Sequence, residues 1–148
     1  MNTQYMLRSF LLILFFLPSL TYGQSVLGTW ATYDDVTGEK KSHVEIYERN
    51  GKIYGKIIQL FLGPEDPEDP KCKECDEDDP RYNQRIMGME IIQGLEKDGD
   101  EYADGTVLDP ENGSVYKCKL WIEGENLVLR GYIGFSLLGR SQTWKPAN

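Results

Sequence analysis

The chain has one histidine, His43, and three cysteines, Cys72, Cys75 and Cys118, among 148 residues. Nucleophilic catalysis by a Ser–His or Cys–His pair would therefore rest on His43 alone. Alternation points His43 outward on a strand, and no serine or cysteine is placed to use it. A structural zinc site wants four Cys or His donors, more than this chain brings together. After residue 23 there is no apolar run long enough to cross a bilayer as a helix, and no stretch of helical periodicity. Positive charge is scarce, with 16 Lys and Arg against 24 Asp and Glu and a net charge of −8. Such a surface repels phosphate backbones and anionic lipid, so neither nucleic acid nor stable membrane insertion is expected. No catalytic set, metal or cofactor is expected, and the balance leans against an enzyme.

What is present begins with a leader. Arg8 precedes an unbroken apolar run over 10–17, and Thr21-Tyr22-Gly23 places small residues for cleavage before Gln24. Residues 1–23 are expected to be a secretory signal, too short for a permanent span. Residues 24–148 then form one domain, large enough for a single core, in an exported protein, periplasmic or secreted.

The domain alternates at a period of two, which is the signature of half-buried strands. Strands are expected over 28–34, 42–49, 52–62, 86–96, 102–109 and 114–123, with a final pair over 127–144. Asn50-Gly51 and Asn112-Gly113 mark tight hairpins because both positions tolerate positive φ. In the final pair Leu127, Leu129, Ile133 and Phe135 share one face. Met87, Met89, Ile91 and Leu95 share another, with Gln93 as a polar member. The architecture expected is all-β: a single antiparallel up-and-down barrel of about eight strands, closed by its first and last strands.

Between the third and fourth strands lies a long loop rich in proline and acid. Nine Asp and Glu stand against Lys71 and Lys73 between Pro64 and Pro80. Such a segment is expected to be solvated and mobile, since charge without apolar residues gives it little to bury. It lacks the spaced ligands of an EF-hand. Cys72-Lys73-Glu74-Cys75 sits within it and is open to several readings. A redox pair needs a stabilised thiolate, which surrounding acids oppose. Half a zinc site needs two more donors. A loop disulfide suits an exported protein and is favoured, with pairing to Cys118 still open.

An eight-stranded barrel encloses either packed side chains or one small ligand. The inward set is Ile46, Ile57, Met89, Ile91, Gln93, Tyr116, Cys118, Leu120, Leu129 and Ile133, serving as the wall of a ligand site or as a filled core. The leading expectation is an interior site for a small apolar or amphipathic molecule. The alternative is a protein-interaction module with a packed core and an outward patch of Trp121, Tyr132, Ile58 and Leu60.

Several pieces together resemble one family: Gly28-Thr29-Trp30, Tyr54-Gly55-Lys56-Ile57, the Cys72-x-x-Cys75 pair, Asp109-Pro110-Glu111-Asn112-Gly113, Tyr116-Lys117-Cys118-Lys119-Leu120, Arg130-Gly131-Tyr132-Ile133-Gly134 and Gly139-Arg140-Ser141-Gln142-Thr143-Trp144. The family is domain-of-unknown-function family twenty-one forty-seven, small exported bacterial proteins. The resemblance implies a lipocalin-like (calycin-like) barrel and brings no biochemical activity. It also implies that Trp30 caps the closed end with Arg140 stacked on it, a cation–π pair.

Overall fold

The computed structural model describes residues 23–147, so the expected leader lies outside the described residues apart from Gly23. Eight strands follow one another: β1 Gly28–Tyr33, β2 Lys40–Arg49, β3 Lys52–Leu60, β4 Glu90–Asp98, β5 Glu101–Leu108, β6 Val115–Glu123, β7 Asn126–Tyr132 and β8 Gly139–Pro146. Each pairs antiparallel with the next, and β8 returns to β1 to close the barrel. The closing register places Trp30 opposite Pro146 and Ala31 opposite Lys145. The first and last strands therefore lie side by side. The cation on that seam is Lys145, 5.3 Å from the Tyr33 ring centre.

Arg140 is not the partner of Trp30. It faces Gly131 at the far end of β8, and its exposed guanidinium lies 3.6 Å from Asp35. Trp30 is buried and its indole N–H donates to Val26 O at 2.8 Å, drawing the segment before β1 across the closed end. The expectation failed because a strand rises ~3.3 Å per residue. Six residues along β8 separate Arg140 from the register of Trp30.

The up-and-down order gives the barrel two unlike ends. Tight turns at 50–51, 99–100 and 124–125 close one of them. The other carries the connections 34–39, 61–89, 109–114 and 133–138. At the tight end Ile46, Ile53, Leu95, Leu120 and Leu127 are all buried and share one core cluster with Trp30 and Trp144. Burying each such Leu or Ile contributes ~1.5–3 kcal/mol.

Two boundaries and one register differ from the alternation. β4 begins at Glu90, not at 86, and Met87 is exposed on the preceding loop. β7 ends at Tyr132, so Ile133 and Phe135 leave the inner face and stand exposed in the connection to β8. β4 also carries two extra residues. Lys56 pairs with Glu90 but Gly55 pairs with Ile92, and Ile53 pairs with Leu95. Each bulge shifts the in–out parity by one. Ile91 and Ile92 are consequently both buried, and Gln93 turns outward before Leu95 returns to the core.

The acidic connection is folded, contrary to the expectation of a mobile loop. Lys71 and Arg85 form a β-bridge, Cys72 N–H donates to Gln84 O at 2.9 Å, and Asn83 N–H donates to Cys72 O at 2.8 Å. Cys72 and Cys75 are joined by a disulfide and both are buried. The loop backbone at Glu74 lies against Gly113 of the β5–β6 turn. A Cβ at Gly113 would meet Glu74 O at 1.8 Å. Most of its acids face water, Asp79 being the half-buried exception paired with Arg81, while its disulfide supplies the buried contact that composition alone does not reveal.

Candidate functional site

The loop end of the barrel is not filled. A cavity of about 780 Å³ opens there. Its walls are Ile57 of β3, Ile91 of β4, Val107 and Leu108 of β5, Tyr116 of β6, Leu129 of β7 and Trp144 of β8. Space exists because three inward positions near the mouth are small: Thr32 on β1, Ser42 on β2 and Gly131 on β7. Thr32 and Ser42 join their hydroxyls at 2.7 Å and so satisfy each other. Gln142 reaches in from β8, where its amide N–H donates to Asp35 at 3.0 Å and its carbonyl accepts from the Trp144 indole at 3.3 Å.

The mouth is acidic and cross-braced. Asp34, Asp35, Asp66, Asp109 and Glu111 line it together with Lys41 and Arg140. Asp34 accepts from the backbone N–H groups of Thr37 at 2.7 Å and Val36 at 2.8 Å. Those bonds hold its carboxyl below the usual carboxylate range. Lys41 pairs with Glu111 and lies 3.8 Å from Asp34, linking the β1–β2 turn to the β5–β6 turn. In an eight-stranded ring those two turns stand opposite each other, so this ion pair crosses the opening. On the remaining side 133–138 forms an apolar lip.

Of the ten inward residues expected, Ile57, Ile91, Tyr116, Leu129 and Ile133 line the cavity, Ile133 as an exposed residue of the lip. Ile46, Met89, Cys118 and Leu120 belong to the packed core and do not reach the cavity wall. Burial pushes the Cys118 thiol up to about 12, leaving it protonated and inert. Val107, Leu108, Gln142 and Trp144 were not in the expected set. The shared parity of Gln142 and Trp144 on β8 is the signal that would have found the last two.

Gln93 lies on the outside, where its amide donates to Glu90 at 3.1 Å. Glu90 also accepts from Tyr47 and, at 3.0 Å, from Arg49. Arg49 stacks on Tyr54 with its guanidinium 3.9 Å from the ring centre. Burial pushes the Tyr47 hydroxyl up to about 12, aided by the carboxylate beside it. Burial alone would raise Glu90, but the bonds from Tyr47 and Arg49 outweigh it and hold the carboxyl below its ordinary value. Glu90→Gln is expected to cost about 1 kcal/mol at pH 7. A carboxyl depressed by folding contributes fully above its unfolded pKa and loses that contribution as pH falls through the folded value. Urea midpoints of the two proteins should therefore converge below pH 4. For Tyr47 the sign reverses, and stability should fall as pH rises from 10 towards 12.

The outward patch expected of an interaction module is not assembled. Leu60 lines the cavity, Tyr132 stands at the mouth, and Lys119 covers Trp121 with its ammonium 5.4 Å from the ring centre. His43 faces outward as expected but is half-buried, edge-on to Phe61 at 4.9 Å. Its Nε2 is buried without a hydrogen bond among the described residues.

A family described as "Uncharacterized protein conserved in bacteria (DUF2147)" matches residues 28–146. The chain belongs to the DUF2147 family. The match runs from the first residue of β1 to the last of β8, so it spans the whole barrel. Among solved structures, this DUF2147 protein is similar to one titled "Protein HP1028 from the human pathogen Helicobacter pylori belongs to the lipocalin family". The two share 21% identity over 84% of each chain, with a TM-score of 0.69. That likeness is one of fold, and the DUF2147 barrel is lipocalin-like. A search of curated proteins returns no match.

Proposed function

We propose that the protein is an exported carrier that takes one small apolar or amphipathic molecule into the loop end of its barrel. The observation that carries this reading is the cavity of about 780 Å³, walled by aliphatic and aromatic side chains and open at one end. Sites for small molecules are concave, of roughly 300–1,000 Å³, mostly apolar, with a few polar groups that orient the guest. Tyr116 and Gln142 supply such groups. Export is supported by the leader pattern of residues 1–23 and by the Cys72–Cys75 disulfide, a bond that persists in oxidising compartments.

Native mass spectrometry of protein purified from its own host is expected to show a co-purifying small molecule. Titration with the neutral fluorophore N-phenyl-1-naphthylamine is expected to saturate at one per chain. Protein that carries nothing from its host and leaves the fluorophore in water would defeat the carrier reading.

A further inference from the structure

We propose that 133–138 is a lid, and that Phe135 and Leu137 complete the binding site by folding over the guest. This inference rests on the carrier reading. The segment exposes four large apolar side chains within six residues: Ile133 at 72%, Phe135 at 75%, Leu137 at 88% and Leu138 at 71%. So dense an apolar surface at the mouth of the barrel calls for a covered state. Two of the four, Ile133 and Leu138, already line the cavity. Apolar surface thus runs without a break from the interior to the tip of the lip.

The segment is a shaped unit. Leu138 N–H donates to Phe135 O at 3.0 Å and closes a turn. Arg130, on the outer face of β7, carries that turn on one guanidinium. It donates to Ser136 O, to Leu137 O at 3.1 Å and to Ser141 Oγ at 3.0 Å. Among the described residues no hydrogen bond ties the turn to the opposite rim. The pivot is Gly134, whose φ of 72° and open surroundings leave room for rotation once Arg130 releases the Ser136 and Leu137 carbonyls. The opposite side of the mouth is anchored by the disulfide loop against Gly113. Closure therefore moves one side only, carrying Phe135 and Leu137 from water onto the guest.

The test uses the whole protein, N-phenyl-1-naphthylamine and the double variant Phe135→Ser/Leu137→Ser. Both side chains stand in water in the open form, so the variant should fold and melt as the unaltered protein does. Its dissociation constant should rise about tenfold, through a faster off-rate, because two large apolar contacts are lost. Saturating fluorophore should also shield the unaltered protein from chymotrypsin cleavage after Phe135 and Leu137. Affinity within twofold of the unaltered protein, or cleavage indifferent to fluorophore, overturns the lid. So does pelleting with phosphatidylcholine vesicles that the double variant abolishes, which would make the lip a membrane tip. If the unaltered protein takes up no fluorophore, the carrier reading falls and the lid with it. If both proteins hold fluorophore equally, the lid alone falls.

Discussion

Gly131→Trp should weaken binding of a neutral fluorophore at least thirtyfold, equivalent to about 2 kcal/mol, while leaving the barrel folded. Gly131 faces the cavity from β7, and its φ lies outside the left-handed region, so any side chain fits its backbone. A Cβ there would meet Tyr116 Cβ at 3.5 Å and Val107 Cγ1 at 3.6 Å, both ordinary contacts. The indole then has nowhere to project but into the empty space. It would divide the cavity between the Tyr116 wall and the mouth. Because it fills a void and does not crowd a packed core, the melting temperature should hold or rise. A variant that folds and still binds within threefold would place the guest outside the barrel.

Gly113→Ala should produce the largest loss of stability, about 2–4 kcal/mol. Two costs act together. The φ of 73° is unfavourable for a residue with a Cβ. That Cβ would also lie 1.8 Å from Glu74 O and 2.7 Å from Cys75 N, backbone atoms that a rotamer change does not clear. The disulfide loop must therefore lift from the β5–β6 turn. Gly38→Ala separates the two effects, since Gly38 has a φ of 72° but nothing within 4 Å of its Cβ position. It should cost only about 1 kcal/mol. Urea unfolding of both variants gives the comparison, and the Gly113 variant should also expose its disulfide to dithiothreitol. Equal stability losses at the two glycines would mean that the loop is not docked as described.

The strands were legible because one side of each faces the interior, and burial imposes a period of two on the sequence. Closure was legible in the apolar run Leu127-Val128-Leu129, which needs neighbours on both edges, and in the tryptophan each terminal strand carries, Trp30 and Trp144. What alternation does not record is a bulge. The extra residues near Ile91 and Gly94 turn Gln93 from a cavity residue into a partner of Glu90 on the outside. Nor does it record where a strand stops. Ile133 and Phe135 extend the parity of Leu127 and Leu129, yet the pairing with β8 ends at Tyr132 and leaves them in water. The disulfide followed from its chemistry, but its docking on Gly113 is a contact between segments nearly forty residues apart, which no local pattern encodes. The division of the interior into packed floor and open mouth was legible only in part. It depends on small residues at Thr32, Ser42 and Gly131 aligning across three strands.

Among the described residues, the seam between β1 and β8 is registered at Trp30–Pro146 and Ala31–Lys145, with Ala147 N–H donating to Thr29 O at 3.0 Å just beyond. The two strands run antiparallel there, so the chain's beginning and end leave the fold at the same pole. Traction applied between them in an optical trap would load these few bonds one after another, like a zipper, and not in parallel shear. The barrel should consequently rip at low force along this line, opening into a curved ribbon.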